Sequence, residues 1–146
     1  MDQQDFRNIF IAKLSGIAEY KNENEIWWEY NGTGITIEFL NDSAFSAKVR
    51  EYYKNGNIRW ERNYQNGKLH GKCIEWFENS NKQEEADYQN DKLHGKYIRW
   101  YENGNKQWEY DYRNGKRHGK YICWFEDGNK GLEANYQNGK LITSYR

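Results

Sequence analysis

Through most of the chain, large apolar side chains alternate with polar ones in short runs, and each run ends in a cluster of asparagine and glycine. The stretches Lys96–Tyr101, KYIRWY, and Lys106–Tyr112, KQWEYDY, are typical. Both are rich in Tyr, Trp or Ile at two-residue spacing, which predicts β-strands. Between them Glu102, Asn103 and Gly104 fit a three-residue hairpin loop, a type I turn closed by glycine in the left-handed region, with a two-residue Asn-Gly loop as the alternative. The choice decides the faces, because a one-residue slip sends every side chain of a strand to the other side. The three-residue loop places Ile98 and Trp100 with Trp108, Tyr110 and Tyr112, and Arg99 opposite them with Gln107, Glu109 and Asp111. It is preferred because it separates apolar from polar.

The pattern recurs. YQNGKLHGK at Tyr64–Lys72 returns as YQNDKLHGK at Tyr88–Lys96 and YRNGKRHGK at Tyr112–Lys120, a period of 24 residues. Four units beginning at Lys48, Lys72, Lys96 and Lys120 align without a gap through residue 143, and residues 24–47 read as a worn fifth unit. In each unit a tyrosine ends the second strand, Asn-Gly reverses the chain, and His-Gly-Lys enters the next strand. One hairpin is marginal in water, but stacked hairpins bury a shared face. The expectation is a mainly β protein, a single-layer, elongated, antiparallel sheet of tandem hairpins. Five hairpins give about ten strands, each hairpin advancing the sheet by roughly 10 Å. Ser80 stands where the other units carry the turn glycine, which predicts that hairpin to be the weakest.

Residues 1–23 fall outside the period and read as an N-terminal cap. Phe6, Phe10 and Leu14 are four apart, which predicts a short amphipathic helix ended by Gly16, with a further strand as the alternative. The cap would cover the first edge of the sheet. At the other end, LITSYR begins another unit, and residues 144–146 are expected as a stub of strand. An unpaired edge there could meet its own copy across a two-fold axis, giving a homodimer.

Tyr-x-Asn-Gly-Lys-x-x-Gly-Lys, followed by an aromatic pair and a second Asn-Gly, closely resembles the MORN repeat in its bacterial variant form, arrays of which occur in YwqK-family antitoxins. The resemblance covers residues 48–143 and, weakly, 24–47. It implies a β-hairpin array used for protein contacts, for dimerisation, or for lipid headgroups, and it implies no single activity.

Composition supports a thin core. Only 36% of residues are hydrophobic, yet 18% are aromatic, and there is no proline. Aromatic rings bury large areas while tolerating a wet edge. Lys plus Arg and Asp plus Glu are both 22, for a net charge of zero. This lacks the basic excess of a nucleic-acid binder and disfavours a polybasic membrane patch. IFIA at Ile9–Ala12 is too short to span a bilayer, so a soluble, cytoplasmic protein is expected.

Candidate chemistry is sparse. His70, His94 and His118 occupy one position of the repeat, but equivalent positions lie about 10 Å apart, too far to share a zinc ion. No metal or other cofactor is expected. Glu61, Glu85, Glu109 and Glu133 form a row best read as glutamates bonded to neighbouring lysines. Cys73 and Cys123, two units apart, are expected as free thiols. No nucleophile motif or phosphate-binding loop is present, and no enzyme is expected.

The expected function is a non-catalytic scaffold for protein–protein contact or self-association, with an antitoxin-like partner or a lipid-headgroup site along Lys68, Lys92, Lys116 and Lys140 as alternatives. Nucleic acid is not an expected partner. The expected partner-binding strip is Tyr53, Phe77, Tyr101 and Phe125, joined by Tyr97 and Tyr121, on the face opposite Trp108 and Tyr110. A single-layer sheet cannot bury both faces, and a contiguous aromatic strip marks an interaction surface.

Overall fold

The computed structural model describes residues 17–22, 25–30, 33–39 and 46–146. Among these residues the strands are β1 (Ile17–Asn22), β2 (Glu25–Tyr30), β3 (Thr33–Phe39), β4 (Ala47–Tyr52), β5 (Ile58–Gln65), β6 (Lys68–Leu69), β7 (Gly71–Trp76), β8 (Lys82–Gln89), β9 (Lys92–Trp100), β10 (Lys106–Arg113), β11 (Lys116–Trp124), β12 (Lys130–Gln137) and β13 (Lys140–Tyr145). They form one antiparallel sheet in chain order, with the two-residue β6 paired to β5 beside this path. No second layer packs on it among the described residues, and successive strands are one another's neighbours. Twelve strands at the usual spacing span roughly 50 Å.

Two kinds of turn build the array. At one end of the strands lies the three-residue loop expected from the sequence. In the unit from Lys96, the Gly104 amide donates to the Tyr101 carbonyl at 3.0 Å, the Tyr101 amide donates to Asn105 at 2.8 Å, and Gly104 has φ +92°. The same bonds recur after Tyr53, Phe77 and Phe125. At the other end Asn114 and Gly115 both have positive φ, as a two-residue type I′ turn requires.

The faces differ from expectation although the loop does not. Trp100 pairs with Lys106, but Arg99 pairs with Trp108, so β10 carries one extra residue, Gln107, just inside the hairpin. The same shift follows Tyr52, Trp76 and Trp124, with Arg59, Gln83 and Gly131 as the inserted residues. A β-bulge of this kind reverses every later side chain of its strand. Cross-strand partners share a face. Tyr97 and Arg99 therefore lie with Trp108, Tyr110 and Tyr112, whereas Ile98 lies with Glu109 and Trp100 with Lys106.

A wider irregularity sits at His-Gly-Lys. Tyr112 pairs with Arg117 but Tyr110 with Tyr121, so Asp111 lies opposite three residues. Gly119 has φ +102°, and a Cβ placed there would lie 3.1 Å from an Asp111 carboxylate oxygen. That carboxylate accepts the Lys120 amide at 3.1 Å, and Asp87 does the same for Lys96. The glycine of this motif is thus required twice, by its backbone angle and by the acid packed against it.

The ends depart from the four regular units. Ile17–Asn22, in the expected N-terminal cap but beyond the helix stop at Gly16, takes the alternative of a further strand and pairs with β2, and the helix expected before it lies outside the described residues. Strands β2 and β3 pair without a register shift, and Tyr30 pairs with Thr33, so the worn unit is a plainer hairpin without the bulge. The expected stub is part of a six-residue strand, β13, paired along β12.

Ser80 adopts φ +70° in the turn where its counterparts are glycine. Ser80→Gly is expected to stabilise the chain by about 1 kcal/mol, read as a rise in thermal midpoint. Asp91, also at positive φ, is the contrast: its carboxylate accepts the Leu69 amide at 2.7 Å. Asp91→Gly should gain less, because it loses that bond.

Candidate interaction surface

One face of the sheet is a charge ladder. Glu61, Ile74, Glu85, Ile98, Glu109, Ile122 and Glu133 follow one another across the strands. Glu85 is held by Lys72 at 2.7 Å and by Lys82, and Glu109 by Lys96 at 2.7 Å and Lys106 at 2.6 Å. Lys72 and Lys96 also reach Asp87 and Asp111. Lys82 and Lys106 lie over the Trp100 and Trp124 rings of the following units, both at 5.6 Å. The row of glutamates expected to be bonded by lysines is this ladder.

Burial pushes the Glu85 and Glu109 carboxyls up, but their paired lysine hydrogen bonds outweigh it and the net direction is down from 4.5.

The opposite face is aromatic. Ala86, Tyr97, Tyr110, Tyr121 and Ala134 form one row across it, and Trp60, Glu75, Glu84, Arg99, Trp108, Cys123 and Leu132 form the next. Tyr97 meets Trp108 edge-on at 4.8 Å, Tyr110 stacks on Tyr121 at 4.2 Å, and the Arg117 guanidinium lies 4.2 Å over Tyr110. The Tyr97 hydroxyl donates to Glu84 at 2.8 Å; burial, and then this bond, push its phenol well up.

The expected strip is thus redistributed. Tyr97 and Tyr121 belong to the same face as Trp108 and Tyr110, the reverse of the sequence reading, because of the bulge. Tyr53 and Tyr101 act at the turns, where their hydroxyls donate to the Trp76 and Trp124 carbonyls of the next unit at 2.7 and 3.0 Å. Phe77 is half-buried at its turn. Phe125 is 62% exposed, with its ring over Gly131 and beside Cys123. The sequence reading missed Arg62, Arg99 and Arg117; Arg99 was hidden because its place among aromatics depends on the bulge, whereas Arg62 follows Trp60 by alternation and Arg117 faces Tyr112 across the Asn-Gly turn.

The remaining candidates are structural in their contacts. His94 Nδ1 accepts the Asn114 amide at 3.2 Å, tying one turn to the next, while His70 and His118 hold the corresponding nitrogen buried. Cys73 and Cys123 are free thiols, and burial pushes the Cys73 thiol up. Lys68, Lys92, Lys116 and Lys140 are all exposed at the Asn-Gly turns. No cluster of three metal-ligating side chains occurs among the described residues, and no helix there is long and apolar enough to cross a membrane.

A carboxylate with a depressed folded value contributes stability above its unfolded value, and that contribution is lost as pH falls through the folded value. The ladder is therefore expected to weaken on acidification from about pH 5 toward pH 3. The variant Glu85→Gln/Glu109→Gln should melt lower than the parent at pH 7 and lose less between those two pH values, as followed by circular dichroism.

Residues 47–66, 69–90 and 93–114 match the family described as the MORN repeat variant, three consecutive copies that fall on the hairpins β4–β5, β7–β8 and β9–β10. Strands β11 and β12 repeat the same turn and bulge. No curated protein matches the chain. MORN repeats are a non-catalytic module, and in general they serve as scaffolds for contacts with proteins or membranes. Period, turn chemistry and family match agree: residues 47–114 are three consecutive MORN repeats of the variant type.

Proposed function

We propose that the chain is a non-catalytic scaffold that binds another protein through its aromatic face. The supporting observation is a comparison the chain makes with itself. On the charged face, two positions of the ladder read Glu61, Glu85, Glu109, Glu133 and Lys48, Lys72, Lys96, Lys120, without a change, and a third reads Lys82, Lys106, Lys130 after Ile58 in the first unit. On the aromatic face they read Val49, Cys73, Tyr97, Tyr121, then Glu51, Glu75, Arg99, Cys123, then Trp60, Glu84, Trp108, Leu132. Positions that only hold copies together have reason to stay the same from unit to unit. Positions that meet something irregular, such as one particular partner, have reason to differ. Half-buried Tyr and Trp beside Arg are also the side chains that dominate protein interfaces.

Within this reading Tyr97, Tyr121 and Phe125 contact the partner, and Tyr53, Phe77 and Tyr101 shape the rim beside them. An antitoxin-like role would be one case of such binding. The exposed row of Lys68, Lys92, Lys116 and Lys140 favours a second reading, an anionic membrane surface. Flotation with phosphatidylserine vesicles separates the two: the protein reading expects the chain to stay in the unbound fraction.

The direct test is Tyr121→Ala/Phe125→Ala. Neither side chain supplies a backbone bond, so the variant should keep its circular dichroism spectrum. Binding to a protein partner recovered by affinity purification should weaken on the order of thirtyfold, the equivalent of about 2 kcal/mol. Unchanged affinity in the folded variant refutes the aromatic face as the site.

A further inference from the structure

The unit from Lys72 interrupts the aromatic face. Where the next unit carries Tyr97, Arg99, Trp108 and Tyr110, this one carries Cys73, Glu75, Glu84 and Ala86. Two aromatic positions of one row have become small, and both positions of the adjacent row have become acidic. The hairpin itself is unchanged, with the Ser80 amide donating to Phe77 at 2.9 Å and the same bulge after Trp76. Side chains alone have been removed, and a cavity of about 320 Å³ opens. Its lining includes Trp60, Arg62, Cys73, Glu75, Glu84 and Tyr88.

Charge in the cavity is unbalanced. Glu75 and Glu84 pair directly across β7 and β8. Elsewhere on the sheet, Glu61, Glu85, Glu109 and Glu133 each have a cation within 4.0 Å. Neither Glu75 nor Glu84 has one that close among the described residues, although Arg99 is the partner of Glu84 on β9; Glu84 accepts only the Tyr97 hydroxyl. Arg62 stands in the wall with its guanidinium 4.4 Å over the Trp60 ring. Facing acids in neighbouring strands destabilise a sheet unless something neutralises them. Here the loss of three rings leaves the room in which that can happen.

We propose that this cavity receives an arginine side chain of a partner polypeptide. The volume lies at the small end of ligand sites and suits one side chain. A planar guanidinium can bridge two carboxylates, and its apolar stem can lie over Cys73 and Ala86. The Tyr97 hydroxyl fixes the Glu84 carboxylate in advance. The proposal deepens the reading of this face as a protein-contact surface and rests on it, by naming the chemistry of one contact.

The test needs no identified partner. The full chain is titrated with Nα-acetyl-arginine methylamide and with its neutral citrulline isostere, and backbone amide shifts are followed by NMR. The arginine probe is expected to give saturable shifts centred on residues 73–76 and 84–88, with citrulline binding at least tenfold more weakly. Glu75→Gln/Glu84→Gln should weaken the arginine probe at least tenfold. Ala86→Tyr, which installs the residue the next unit carries at Tyr110, should fold and abolish the shifts. Shifts centred on the exposed acids Glu78, Glu102 and Glu126, equal binding of citrulline, or binding unaltered by these variants would overturn the proposal. Equal binding of Nα-acetyl-lysine methylamide would overturn the guanidinium assignment. Because the aromatic contact is tested separately at Tyr121 and Phe125, failure here leaves that test standing.

Discussion

Among the described residues nothing packs on either side of the sheet, so it must find its stability within its own plane, between one strand and the next. Every economy of this chain follows from that constraint. An isolated hairpin cannot bury enough, so each turn is bonded to the following unit. Asn57, Asn81 and Asn105 donate to the carbonyls of Glu78, Glu102 and Glu126 at 2.9 to 3.0 Å, and the Gly115 and Gly139 amides donate to Leu93 and Arg117 at 2.8 Å. On one face a glutamate between two cations performs the same task, two lysines for Glu85, Glu109 and Glu133 and Arg50 with Lys48 for Glu61. The carboxylate ends of Glu85 and Glu109 are largely removed from water, and the two lysines on each offset the cost of that desolvation.

The parts of this design that depend on backbone angle were legible in the sequence. Asn-Gly pairs and the glycine of Glu102-Asn103-Gly104 have few conformations open to them, and each takes the one expected. The period was legible because it needs no structure at all. The assignment of faces was not, and the reason is local. Arg59, Gln83, Gln107 and Gly131 share no chemistry that marks them as bulged residues, yet each reverses the strand that follows. A loop of the right length therefore led to the wrong face. Tyr97 was separated from Trp108, which it touches, and Ile98 was grouped with aromatics when it lies between Glu85 and Glu109.

The glycine at His-Gly-Lys shows where the limit lies. The sequence marked it only as part of the step into the next strand, and the structure places it at φ +115° in Gly95. What could not be read was its partner, since Asp87 precedes it by eight residues and approaches only once the wide irregularity forms. Sequence reveals the residue that permits a distortion more readily than the contact that uses it.

The charged face and the turns repeat their contacts from unit to unit, whereas the aromatic face, which also joins units at Tyr110–Tyr121 and Tyr97–Glu84, does not repeat its own. The unit from Lys72 shows how far the variation extends: it loses Tyr, Arg, Trp and Tyr at four positions relative to its neighbour and still keeps the turn bonds, the bulge and the Lys72–Glu85–Lys82 bridge. Had both faces been needed for cohesion, a cavity and an unneutralised pair of glutamates in the middle of the array would unravel the units on either side. A division of labour between faces turns the repeat into a carrier. One surface is copied from unit to unit, and the other varies in shape and charge.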